Sequence, residues 1–221
     1  MIKKQFSEEQ KSRIEACVKE FLSIVDDPER PGLVETPKRV VKYWTELLEG
    51  QLYTNKEIAD MYNKCFDLDE DDVENVPVND AFGVGQDLVI ETNIPIFSHC
   101  EHHLALMYDM YVTIAYIPRK TVIGLSKMGR IAEMVGKRLQ LQEKIGEDIN
   151  EIMRDILDTD DVAVIIEGKA QRTAVKGSID GITQSYIFTV GFCLVLGNRH
   201  GVAPHGNPFR IFIHGEILSQ L

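Results

Sequence analysis

Two pairs of β-rich segments separated by a long helical stretch constrain this chain most. Residues 87–98 (DLVIETNIPIFS) and 111–118 (YVTIAYIP) are rich in β-branched and aromatic residues, as are 162–169 (VAVIIEGK) and 185–196 (SYIFTVGFCLVL). Between the second and third segments the apolar positions recur at helical spacing, which predicts helices over 127–139 and 142–157. The order β–β–α–α–β–β predicts an α+β domain: an antiparallel sheet carrying both helices on one face.

The N-terminal third has a different texture. Ile14, Val18, Phe21, Leu22 and Val25 fall on one helical face, and Ser7 followed by Gln10 supplies a capping box, so 7–26 reads as a helix. A second helix starts at ETPKRVVKYWTELLEG, with Thr36 as N-cap, Pro37 at the first helical position and Gly50 as stop. Residues 55–65 read as a short third helix and 67–74 as an acidic connection. The chain divides into a helical region, 1–76, that reads as an appendage, a mixed domain, 77–197, and a tail, 198–221.

Charge narrows the function. With 24 Lys+Arg against 35 Asp+Glu the formal charge is −11, so no basic face dominates, and neither nucleic acid nor an anionic membrane is expected as partner. No apolar run approaches the roughly 18 residues of a membrane span, and MIKKQFSEEQKSR lacks the apolar core of a secretion signal. Four scattered cysteines (Cys17, Cys65, Cys100, Cys193) do not make a disulfide framework, so a reduced, cytoplasmic setting is expected. Gly83-Val84-Gly85 lacks the third glycine and following helix of a dinucleotide loop and reads as a turn.

The densest chemistry lies in Ser98-His99-Cys100-Glu101-His102-His103. Cys100 and His103, three positions apart at a strand end, offer the sulfur and imidazole donors that zinc takes, although a catalytic zinc site needs a third protein ligand. The alternative is a buried cysteine beside surface histidines. A second cluster is Gly124-Leu125-Ser126-Lys127-Met128-Gly129-Arg130, where Ser126 reads as the N-cap of a helix. Free N–H groups there, with Lys127 and Arg130, suit a phosphate. A third element is Gln142-Glu143, a carboxylate opening a helix; capping alone would account for it.

These elements, in this order, resemble the GTP cyclohydrolase I family. The matching strings are GLVETPKRV from residue 32, SHCEHHLA from 98, VTIAYIPRKTVIGLSKMGRI from 112 and RLQLQEKI from 138, within about residues 12 to 196. The resemblance implies a tunnelling fold, in which antiparallel sheets of several subunits close into a barrel, as a homodecamer with active sites between subunits. It implies bound zinc and hydrolysis of GTP to 7,8-dihydroneopterin triphosphate and formate, in pterin and folate-type biosynthesis. It makes Cys100 and His103 zinc ligands, His102 the catalytic proton carrier, Glu143 with Gln142 the guanine acceptors, and Ser126, Lys127, Arg130 and Lys176 the ribose and phosphate contacts.

One stretch departs from the family pattern. Where a His-x-Cys pair is expected to give a proton donor and the third zinc ligand, this chain has Ala170 and Arg172. Alanine has no proton to transfer, and a guanidinium does not bind zinc. Three readings compete. His200, His205, His214 or His99 completes the site; or Arg172 binds an anionic group of the nucleotide in place of a metal; or the chain is an altered or inactive paralogue that binds a purine nucleotide or regulates an active relative. A fourth, minor reading is a tunnelling-fold reductase using Cys100 as nucleophile, although the signature of those enzymes is not visible.

Overall fold

The computed structural model of the chain describes residues 3–67, 89–170 and 185–191. Helix α1 (Glu8–Val25) starts at the expected capping box: Ser7 Oγ accepts from the Gln10 amide at 3.1 Å, and Gln10 accepts from the Ser7 amide at 2.8 Å. In α2 (Thr36–Leu47) the N-cap is Glu35 rather than Thr36, so Thr36 and Pro37 occupy the first turn. Gly50 is not a helix stop. It lies inside the 3-10 turn Glu49–Leu52, where an added Cβ would sit 1.9 Å from the Met134 carbonyl oxygen, and only glycine permits that approach. Helix α3 (Asn55–Tyr62), capped by Thr54 and Glu57, ends three residues earlier than expected, because Cys65 enters a strand.

That strand, β1 (Cys65–Asp67), pairs antiparallel with β4 (Thr121–Ile123). Strand β1 was not expected, since three residues show no periodicity; β4 lies within IPRKTVIGL, a strand-like stretch leading into the next helix. The main sheet comprises β2 (Val89–His99), β3 (Leu106–Tyr116), β5 (Val162–Ala170) and β6 (Ser185–Gly191), antiparallel throughout in the order β2-β3-β5-β6. All four expected strands are present, with boundaries shifted; residues 192–196 lie outside the described ones. Helices α4 (Leu125–Gly136) and α5 (Gln142–Leu157) cover one face, α4 against β2 and α5 against β5 and β6. The mixed α+β class is as expected.

The core forms at that face. Ile94, Ile96, Val112, Ile114, Val164 and Ile166 of the sheet are buried with Met128, Ile131, Val135, Ile145, Ile149 and Met153 of the helices. Each such side chain contributes about 1.5–3 kcal/mol on leaving water. The opposite face stays open, with Ile90, Phe97 and Tyr111 exposed. Register breaks in β2 and β3 fall where Asn93 (φ 57°) and Asp109 (φ 50°) take left-handed backbone, which their short polar side chains tolerate. Among the described residues no helix is long and apolar enough to cross a membrane.

Glu91 stands opposite Ile114, in an apolar row of the sheet. Its Oε2 is buried without a hydrogen-bond partner among the described residues, and burial raises its pKa. The unfolded carboxyl ionises first, near pH 4.3, so stability present below that pH is lost as pH rises through the raised folded pKa. Glu91→Gln is therefore expected to gain stability over the parent as pH rises from 4 to 7. Urea melts at both pH values check this; parallel curves would refute it.

Candidate functional site

The Cys/His motif occupies the connection between β2 and β3. The Cys100 amide donates to the Ala105 carbonyl at 2.9 Å, and the Leu104 amide to the Cys100 carbonyl at 2.9 Å, which folds Glu101-His102-His103 into a tight turn. Leu104 closes it at φ 53°. Left-handed backbone costs a residue such as leucine about 1–2 kcal/mol, a strain tolerated because the hairpin over-determines the turn. One ligand atom each from Cys100, His102 and His103 lies within 4.8 Å of the other two. Cys100 is half-buried; both histidines are exposed. Glu101 Oε1 lies 3.9 Å from His102 Nε2.

The donor set fits zinc: one sulfur and two imidazoles are ligands it takes, and three protein ligands leave a position for water or substrate. His99 is not part of it. Its ring is buried against Tyr43, whose hydroxyl lies 3.4 Å from Nε2, while Nδ1 has no partner among the described residues. Burial lowers its pKa, which favours the neutral ring.

The Gln142-Glu143 element is brought to the same end of the sheet. Leu139 bridges His99 in parallel register, Gln140 N donates to His99 O at 3.2 Å, and Ser98 Oγ donates to Arg138 O at 3.1 Å. The strand leading into the Cys/His turn and the loop leading into α5 thus share backbone contacts. Glu143 is exposed in the first turn of α5. Gln142 is buried and donates to the Ile166 carbonyl at 3.1 Å, tying the helix start to β5.

Arg138, which the sequence analysis did not single out, holds this loop. Its buried guanidinium donates to Gly50 O (3.2 Å), Tyr53 O (2.9 Å), Asn55 Oδ1 (2.7 Å) and Asp148 Oδ2 (2.8 Å). Asp148 Oδ1 accepts from Asn55 at 3.2 Å and is paired with Lys144 at 2.7 Å. The N-terminal helical region is therefore tied into the wall behind the site, not merely appended to it.

The phosphate-type cluster lies elsewhere. The N-cap of α4 is Gly124 and not Ser126, because Leu125 already has helical backbone; Ser126 lies exposed in the first turn, with Lys127 beside it. Arg130, one turn on, lines a cavity of about 690 Å³ with Lys3, Glu49, Asp60, Glu133 and Lys137, a mixture of both signs. At the other end of α4, an added Cβ on Gly136 would meet Phe97 O at 3.1 Å, so that end abuts the β2 terminus leading into the Cys/His turn. The steps of 1.5 Å per residue between the first and last residues of α4 put about 16.5 Å between the two ends. Cys100, His102, His103 and Glu143 come to one end of the sheet; Ser126 and Lys127, at the far end of α4, do not join them within one chain, and Arg130 lies midway, in the cavity with Lys137. Arg172, Lys176, His200, His205 and His214 lie outside the described residues, and Ala170 ends β5 opposite Met107.

The model of the family described as GTP cyclohydrolase I matches residues 14–191 of the chain. Among curated proteins, the chain is similar to a GTP cyclohydrolase 1 of Clostridium botulinum (strain Hall), 56% identical over 157 residues, or 71% of this chain and 76% of that protein. It is also similar to those of Clostridium acetobutylicum (51% over 151 residues; 67% and 71%) and Clostridium beijerinckii (46% over 158 residues; 71% and 76%).

Removing one partner of a buried, hydrogen-bonded ion pair costs about 3–5 kcal/mol. Arg138→Ala is expected to lose that much in urea unfolding, whereas an Arg138→Met/Asp148→Leu pair loses markedly less, because no buried charge is orphaned. Equal losses from the single and the double change would refute the buried-charge account.

Proposed function

The chain belongs to the GTP cyclohydrolase I family, and on that premise we propose that it is a hydrolase acting on the purine ring of GTP. The reaction opens the imidazole ring with loss of formate and gives 7,8-dihydroneopterin triphosphate, in a pterin or folate-type pathway of the cytoplasm. The observation that carries this reading is the docking of the Cys100–His103 turn beside the start of α5. It joins a metal-binding donor set to a carboxylate that can read a guanine.

Cys100 and His103 would hold a zinc ion, which supplies Lewis acidity toward a water nucleophile. Glu143 accepts hydrogen bonds from the N1–H and 2-amino donors of guanine, a pattern adenine lacks, and so orients the base. Gln142 fixes the helix that carries it. Ser126, Lys127 and Arg130, with Lys176 and Arg172, neutralise ribose-linked phosphates as point charges and helix N–H donors. His102 lies in the metal cluster, so this imidazole has to serve either as ligand or as proton carrier. The separation of base-reading and phosphate-type residues along α4 supports a site completed by a second copy, in a homo-oligomer that the resemblance makes a decamer of tunnelling-fold barrels. The open sheet face with Ile90, Phe97 and Tyr111 offers apolar surface for such closure.

A second reading, a purine-nucleotide binder with stalled or altered turnover, is favoured by one observation. Ala170 ends β5 opposite Met107, close to the metal turn, and carries no proton donor.

Mass spectrometry of products from zinc-supplemented protein and GTP separates these. Dihydroneopterin triphosphate with formate is the expected outcome; an accumulating ring-opened formyl species supports stalled turnover; unchanged GTP refutes the hydrolase reading. Glu143→Ala is expected to weaken GTP binding in calorimetry by about 10- to 100-fold, the worth of charged hydrogen bonds. Undiminished affinity would remove Glu143 from the base site.

A further inference from the structure

We propose that His102 is itself a metal ligand in this chain, so that Cys100, His102 and His103 form a complete three-residue zinc site within one β-turn. The inference rests on the zinc reading of the turn given above, and extends it by naming the third ligand.

Zinc that activates water takes three protein ligands and leaves one position open. Among the described residues, Cys100, His102 and His103 are the one group of three His, Cys, Asp or Glu side chains whose ligand atoms gather so closely, all within 4.8 Å. A small closing movement of exposed side chains brings such atoms around one ion. The turn is preorganised for this: three backbone hydrogen bonds and a left-handed Leu104 fix its shape. Glu101 places a carboxylate 3.9 Å from His102 Nε2, where it can orient the ring as acidic partners of metal-bound histidines do.

Among the described residues, other donors are poorly placed. The nearest histidine in sequence, His99, is buried against Tyr43 and contributes no atom to the cluster. The strand that arrives beside the turn is β5, whose last residue, Ala170, registers with Met107. Its sequence continues as Gln171-Arg172-Thr173, with no thiol, imidazole or carboxylate. Among the described residues, an ion held by Cys100 and His103 therefore finds its third donor inside the turn. While His102 is coordinated, its ligating nitrogen has no proton to give, so metal retention and proton transfer compete for one side chain.

The test measures metal rather than turnover. The full-length protein is loaded with zinc, stripped of excess, and assayed for bound ion by elemental analysis and for affinity by competition with a chromophoric chelator. Cobalt(II) loading reports the donor set through its visible and thiolate charge-transfer bands. Parent, Cys100→Ser, His102→Ala and His102→Gln proteins are compared, with melting curves to show that each is folded. Loss of an outer-shell partner weakens metal binding by about 10- to 100-fold. A coordinating His102 predicts weakening beyond about 100-fold in both His102 variants, with a shifted cobalt visible band and a retained thiolate band. Weakening of about 100-fold or less with an unchanged cobalt spectrum puts His102 outside the coordination sphere and overturns the proposal, leaving zinc at the turn intact. A parent that binds no zinc, or a Cys100→Ser protein that binds as the parent does, overturns the zinc reading itself.

Discussion

The buried Arg138–Asp148 pair is the interaction on which the candidate site depends. A guanidinium and a carboxylate taken out of water are stable only when every remaining donor and acceptor is satisfied. Here Arg138 reaches two main-chain carbonyls, Gly50 and Tyr53, and two side chains, Asn55 and Asp148. Four segments are fixed by one side chain: the 3-10 turn, the cap of α3, the α4–α5 loop and the second turn of α5. Because Arg138 is held, its neighbours Leu139 and Gln140 lie in register with His99. The position of Glu143 relative to the Cys/His turn follows from that register. A buried charge pair thus sets the spacing of Glu143 from the Cys/His turn.

The turn solves a second problem, that of holding exposed polar side chains in one arrangement without burying them. Regular hairpin backbone on either side, three hydrogen bonds across the turn and a strained leucine leave the backbone little freedom. The strain at Leu104 is offset by strand pairing, and what the chain gains is three donor atoms that start close together. Preorganisation of this kind lowers the entropy lost when an ion binds.

Much of this was legible in the sequence, and the reasons differ by element. The Ser7–Gln10 capping box is local, so its signal and its structure coincide. The four long strands and two helices announce themselves because burial on one face imposes a period. The short pair β1–β4 does not, since three residues carry no period and their pairing is decided by partners more than 50 positions apart. Ser126 looked like an N-cap because serine usually is one, yet Gly124 provides the extended residue and leaves serine inside the first turn. Arg138 was the real omission. At a helix C-terminus a basic residue reads as dipole compensation, and nothing local shows that its partners lie near residues 50–55 and at 148. The Cys/His cluster was legible as chemistry, but only the fold of the turn brings His102 in with Cys100 and His103.

Helix α4 separates the Ser126–Lys127 cluster from the Cys100–His103 turn. Its C-terminal end is locked between Gly50, where an added Cβ would sit 1.9 Å from the Met134 carbonyl oxygen, and β2, which packs closely on Gly136. Its N-terminal end, with Ser126 and Lys127, is displaced by about the length of three turns. The helix is rigid and buried along one face, so these groups cannot swing toward Glu143 of the same chain without unpacking Met128, Ile131 and Val135. Removing three such side chains from a core costs several kcal/mol, more than a few screened phosphate contacts return. On the proposed reading, the phosphate-type residues serve either the far end of an extended ligand or a ligand held mainly by a neighbouring copy. In both cases the length of one helix, fixed by its packing, is the ruler that sets the size of the site.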